Sequence, residues 1–261
     1  MTRTENHAPI AVERLDVVDS TSAHARRLIE SGKFGDLPRV FFASEQTAGV
    51  GRFGRVWASP VGGLWMTLVW PVTVSAPAVL DGLGLRAGLA MLHGVDHILA
   101  AHGHDSDDKN VRIKWPNDIF IAGRKVAGAL CETITVGPTM FILTGVGVNG
   151  NFPVGALPEE LRRSATTLMD EIGVRVNLER LLDDLIVRLG EAMTTHGITA
   201  GALAEIDERL FGAGEPATVT LPDRTTMTGT LLGLTSDGRL RLGTDDGEIV
   251  SPSGAELAVI G

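Results

Sequence analysis

The chain has 261 residues, 44% hydrophobic and 21% charged, with a net charge of −9 and one cysteine. That length allows one large domain or two unequal ones, and the charge argues against nucleic acid as the main partner, because phosphate binding needs clustered Lys and Arg. A lone cysteine excludes an internal disulfide and points to the reducing cytoplasm; no apolar run approaches the roughly 20 residues that cross a bilayer, so no membrane partner is expected, and the start lacks the apolar stretch of a secretion signal.

Residues 1–9 read as a disordered tail. Val12–Val18 is a predicted strand, and Ser20-Thr21 opens a helix through Ile29 with a hydroxyl available as N-cap. Val40–Ser44 is a strand, Gln46–Pro60 a loop rich in Gly and Arg, and Leu64–Trp70 a strand. Ala78–His102 shows apolar residues at helical spacing. Val111–Trp115 and Ile119–Ile121 are strands meeting at Pro116-Asn117-Asp118, and Lys125–Thr135 and Thr139–Val148 form a strand pair turning at Gly137-Pro138. Asn177–Thr195 is an amphipathic helix, followed by a helix over Ala200–Leu210. Residues 217–260 then hold short runs of Val, Thr and Leu broken by Pro222-Asp223, Asp237-Gly238 and Asp246-Gly247, the pattern of a small all-β barrel.

Three segments carry chemistry. Gly49-Val50-Gly51-Arg52-Phe53-Gly54-Arg55-Val56-Trp57 offers backbone N–H groups and two guanidiniums to a phosphate or carboxylate. Its GxGxxG spacing is not a dinucleotide fingerprint, because Val56 to Pro60 cannot begin a helix; a plain surface loop is the alternative. Lys114-Trp115-Pro116-Asn117-Asp118 places polar side chains at a strand end, where ligands often bind, or forms an ordinary turn. Gly145-Val146-Gly147-Val148-Asn149-Gly150-Asn151 repeats the failed fingerprint, and its amides suit a purine edge or a loop.

Together these segments resemble the biotin–protein ligases. Gln46 precedes the glycine loop, Ser59-Pro60-Val61-Gly62-Gly63-Leu64 follows it, the family's KWPND is complete at 114–118, its K-x-x-G-x-L-x-E is met by Lys125, Gly128, Leu130 and Glu132, and its GxGxNxN by 145–151. The early Ser20-Thr21 pair matches as well. The resemblance implies an α+β fold: a catalytic domain over 10–212 like class II aminoacyl-tRNA synthetases and biotin–lipoyl ligases, a mixed sheet with helices, plus a small C-terminal SH3-like barrel over 213–261.

It also implies ATP-dependent activation of biotin to biotinyl-5'-adenylate and transfer to a lysine of the biotin carboxyl carrier protein of an acyl-CoA carboxylase. ATP and Mg²⁺ would enter as a substrate complex, biotin as the other substrate, with no bound prosthetic group and no protein metal site. Ser20, Thr21 and Gln46 would hold the ureido ring, with Gly49, Gly51, Gly128 and Leu130 lining the pocket. Arg52, Arg55, Trp57, Lys114, Asn117, Asn149 and Asn151 would hold the nucleotide, Trp57 stacking on adenine. Lys125 and Arg52 would stabilise charge during adenylation, and Asp118 would orient the incoming lysine.

Three positions depart from the pattern: Val50 where arginine is usual, Phe53 where a basic residue is frequent, and Ser22 where asparagine is common. Too little chain precedes the first strand for a helix-turn-helix, so no operator binding is expected, while a homodimer stays open. The rival readings are a lipoate–protein ligase and a non-catalytic biotin-binding paralogue. His93 and His97, spaced like metal ligands, read as helix surface; Cys131 reads as a small core residue, and Asp105, Asp107 and Asp108 as a solvated loop.

Overall fold

The computed structural model describes residues 10–73, 77–244, 246–252 and 256–259. The tail expected over 1–9 and the barrel's last residues, 260–261, lie outside them. No helix among the described residues is long and apolar enough to cross a membrane.

Seven strands form the main sheet: β1 (Ala11–Val18), β2 (Arg39–Gln46), β3 (Leu64–Thr73), β4 (Val111–Lys114), β5 (Asp118–Ile121), β6 (Arg124–Val136) and β7 (Thr139–Val148). Their order is β1-β2-β3-β7-β6-β5-β4, with β1 and β2 parallel and every other pair antiparallel. Helix α1 (Thr21–Glu30) covers one face, packing Ala25 and Ile29 on Phe41, Val69, Phe141 and Leu143. Helices α2 (Leu83–Ala101) and α4 (Leu178–Thr194) cover the other, over Leu64, Met66, Leu68, Ile142 and Val146. Covered on both faces, β3 and β7 read as near-continuous apolar runs rather than alternating ones.

The long helix expected over 78–102 is broken. A 3-10 turn spans Pro77–Leu80, and α2 begins only after Gly82, whose φ of 66° no helix accommodates. Arg86, buried on α2, donates to the carbonyls of Val79, Asp81, Ala192 and Gly197, so one guanidinium satisfies the broken turn and the end of α4 together. Between β7 and α4 lie two 3-10 turns, Val154–Ala156 and Glu159–Leu161, and the short helix α3 (Leu168–Ile172), capped by Thr167.

After α5 (Ala200–Glu208) come β8 (Pro216–Thr220), β9 (Thr226–Leu234), β10 (Leu240–Gly243), β11 (Ile249–Val250) and β12 (Glu256–Val259), in the order β11-β10-β9-β8-β12. The edge strands β11 and β12 are not paired with each other among the described residues, so this SH3-like unit is an open barrel. It shares a core with α2 through Leu231, Leu234, Leu240, Leu242 and Leu257. Trp115 Nε1 donates to Gly238 O at 2.9 Å, and Phe120 stacks on Phe211 at 4.7 Å between ring centroids. The first contact ties the second unit to the 114–118 motif, and the second packs the segment leading into that unit on β5.

Candidate functional site

On the α1 side of the main sheet, β6 and β7 lose their side chains over a patch. Gly128 pairs with Gly147, Leu130 with Gly145, and Asp118 of β5 with Gly128. A β-carbon at Gly145 would stand 2.9 Å from Ser22 Oγ, one at Gly147 2.5 Å from Trp57 Nε1, and one at Gly128 2.7 Å from Asp118 Oδ1 and 3.2 Å from Lys125 Nζ. A side chain at any of the three would have to displace these neighbours. The glycines clear a cavity of about 420 Å³. A second concavity, between Leu221 and Pro252 on the barrel, has Asp223 as its one ionisable wall residue and none of the motifs.

The cavity has a neutral polar end. Ser20 caps α1, its Oγ accepting from Ala23 N. Gln46, at the end of β2, takes two hydrogen bonds on Oε1: from Thr21 N at 2.8 Å and from Thr21 Oγ1 at 3.1 Å. Because a backbone N–H only donates, the orientation of the Gln46 amide is fixed. Its Nε2 donates to Ser59 Oγ at 2.9 Å. Met66 and Leu130 supply apolar wall.

The other end is charged. Lys125 Nζ lies 2.6 Å from Asp118 Oδ2 and 4.8 Å from the centroid of the Trp57 ring. Both members of the pair are half-buried. Lys114 lies over Phe120, and burial lowers its pKa from the ordinary lysine value, with Asp118 opposing. Burial likewise lowers the pKa of Arg52, opposed by Asp118 and Glu256. Arg55 forms an ion pair with Glu256 of β12, so the barrel reaches the cavity wall.

The loop carrying these arginines is a small hairpin. Gly51 N donates to Arg55 O and Trp57 N to Gly49 O, both at 2.8 Å, which makes Val50 and Val56 a facing cross-strand pair. Phe53 and Gly54 form its tip with φ of 58° and 72°. The exposed Phe53 ring sits against the guanidiniums of Arg52 at 5.1 Å and Arg55 at 5.7 Å.

Most of the residues singled out from the sequence converge here: Ser20, Thr21, Gln46, Gly51, Arg52, Arg55, Trp57, Lys114, Asp118, Lys125, Gly128, Leu130 and Asn149 all line the cavity. Three of the expected residues lie off the lining. Asn117 is buried outside the lining, with Nδ2 donating to Ala129 O. Asn151 exchanges two hydrogen bonds with the backbone of Val176, at 2.7 and 2.8 Å, and straps the chain after β7. Gly49 is also off the wall; a β-carbon there would meet Trp57 O at 2.5 Å, so the glycine serves the hairpin's closure. Lys125 Nζ lies over the Trp57 ring, and Trp65, Phe152, Leu157 and Ala165 pack beside it.

Other wall residues were not legible. Phe120, Leu161, Ser164, Ala165, Glu256 and Leu257 sit in no motif; long-range pairing brings them, as when Lys125 N donates to Ser164 O. Among the candidates set aside, His93 turns to Glu205 and His97 to Asp184, on different helices. Burial pushes the Cys131 thiol up to about 11, which keeps it protonated and poorly nucleophilic near neutrality.

Residues 16–149 match the biotin/lipoate A/B protein ligase family, and 213–258 match the biotin protein ligase C terminal domain. The chain is 32% identical over 249 residues to the biotin--[acetyl-CoA-carboxylase] ligase of Mycobacterium tuberculosis, covering 92% of this chain and 87% of that one. It is similar in structure to a biotin protein ligase from Aquifex aeolicus in complex with biotin and ATP, with a TM-score of 0.76 at 25% identity over 96% of this chain and 99% of that one. A biotin protein ligase from Leishmania major in complex with biotinyl-5-AMP is similar with a TM-score of 0.62 at 26% identity, over 95% and 100% of the two chains.

Proposed function

The chain belongs to the biotin/lipoate A/B protein ligase family, and from that premise we propose that this cavity joins biotin to ATP and passes the biotin to a lysine on a carrier protein of a carboxylase. One observation carries the reading. Four cations, Arg52, Arg55, Lys114 and Lys125, meet two carboxylates, Asp118 and Glu256, in one cavity of a chain whose net charge is −9. An acidic protein that gathers cations around a neutral hydroxyl-and-amide pocket suits a ligand with an uncharged ring at one end and anions at the other.

In the first half-reaction a biotin carboxylate oxygen bonds to the α-phosphorus of MgATP, and the bond to the β-phosphate oxygen breaks, releasing pyrophosphate. Two anions approach each other, and cations fixed beforehand offset that repulsion more strongly where water is excluded. Lys125 and Arg52 take that role. Mg²⁺ would accompany ATP as part of the substrate and supply further charge neutralisation on its phosphates. In the second half-reaction a carrier lysine nitrogen bonds to the acyl carbon, AMP leaves, and Asp118 orients the amine and receives its proton. Ser20, Thr21 and Gln46 hold the ureido ring, while Arg55, Lys114 and Asn149 border the nucleotide.

The test is ATP–pyrophosphate exchange. Biotin should support it and lipoate should not; exchange with lipoate alone would reassign the acid, and exchange with neither would make the chain a binding protein.

A further inference from the structure

Thr67 is fully buried in the middle of β3, yet its hydroxyl bonds to two others: Thr21 Oγ1 at 2.8 Å and Ser22 Oγ at 2.9 Å. The direction of every proton in this group follows from one fixed point. Gln46 Oε1 is oriented by the Thr21 backbone N–H and can only accept, so the Thr21 hydroxyl proton points at it. Thr21 Oγ1 must then accept from Thr67. Thr67, its single proton spent, must accept from Ser22. The chain therefore runs Ser22 to Thr67 to Thr21 to Gln46. Ser22 is left with its proton turned inward and its lone pairs on a cavity wall, where Gly145 leaves room for the hydroxyl.

We propose that this relay makes Ser22 a dedicated acceptor for a ring N–H of the bound acid, with Thr67 as the positioning residue that holds Ser22 in that state. The inference rests on biotin being the acid. A ureido ring carries two N–H donors, whereas a lipoate dithiolane ring carries none. The relay thus selects by polarity rather than by size. A hydroxyl free to rotate could donate or accept and would discriminate poorly; a hydroxyl whose proton is committed elsewhere leaves an N–H donor matched and an apolar ring facing an unpaired acceptor.

The test is calorimetric titration of the full chain, without ATP, with biotin and with the two biotins methylated on one or other ureido nitrogen. Thr67→Val keeps the shape and removes the hydroxyl. It should raise the Kd for biotin roughly tenfold, the scale of one hydrogen bond. Affinity for the methyl isomer that lacks the relevant N–H should not change further. Thr67→Ser, which restores the hydroxyl, should recover most of the biotin affinity. Ser22→Ala, at a half-buried site, should reproduce the Thr67→Val pattern and serves if that variant does not fold. Equal losses for biotin and both methylated isomers, or wild-type biotin affinity in both Thr67→Val and Ser22→Ala, would overturn the relay. Failure of the wild-type chain to bind biotin at all would instead overturn the acid assignment on which the relay depends.

Discussion

Lys125 and Asp118, seven residues apart on adjoining strands, are each other's counterion: Nζ lies 2.6 Å from Oδ2 above the Trp57 ring. The residue proposed to stabilise adenylation is therefore restrained by the one proposed to act in transfer. Lys125→Ala should slow adenylate formation by roughly 10²-fold or more, with a smaller change in biotin affinity. Near-normal pyrophosphate release by the variant would remove Lys125 from the chemistry.

Asp118→Asn separates the half-reactions. It should slow single-turnover transfer from preformed adenylate by roughly 10²-fold, within the usual range for a general base, while adenylation changes by less than about tenfold. Equal slowing of both steps would mean that Asp118 serves only to hold Lys125.

Gly128 supplies the room in which that pair sits. A β-carbon there would press on Asp118 Oδ1 at 2.7 Å and Lys125 Cε at 3.1 Å, both ends of flexible side chains. Gly128→Ala should therefore fold and displace the pair, lowering adenylation by roughly ten- to a hundredfold through misplacement alone. Wild-type activity in this variant, with unchanged thermal unfolding, would show that the spacing is not critical.

At position 50, a cross-strand valine pair replaces the cation usual in the resembling loops. A charge-assisted hydrogen bond to phosphate is worth roughly 1.5–3 kcal/mol, so its loss should raise adenylate escape by roughly ten- to a hundredfold. With biotin, ATP and albumin as bystander, Val50→Arg should label the bystander less than wild type does. Equal labelling would mean that another cation already compensates.

Arg86 makes a stability prediction. Arg86→Met leaves four buried or half-buried carbonyls without their donor. The expected loss is about 3 kcal/mol or more, read as a fall of roughly 6–12 °C in Tm. A fall under about 2 °C would show that water takes over the carbonyls.

What the sequence made legible was local. The strand pair 125–148 and the N-cap Ser20 follow from the turn at Gly137-Pro138 and from capping chemistry, and the motif residues lie along stretches short enough to recognise. An amide beside glycines reads equally as a ligand or as a strap, and the hydrogen bonds of Asn117 to Ala129 O and Asn151 to Val176 O come from long-range placement that no motif encodes. Thr67 and Glu256 were illegible for a different reason. Thr67 looks like any strand threonine until β3 is placed against α1, and Glu256 acquires its role only when β12 brings it to Arg55. Gly82 hid its break because one glycine scarcely disturbs helical periodicity.

The bare patch left by Gly128, Gly145 and Gly147 also limits redesign. A pocket shaped by large side chains can be widened by trimming them, but these three positions have no side chain left to remove. Any substitution on that floor can only shrink the space. Engineering for bulkier acids must therefore work outward, through Met66 and Leu130 or the Val50–Val56 hairpin, where atoms remain to be taken away.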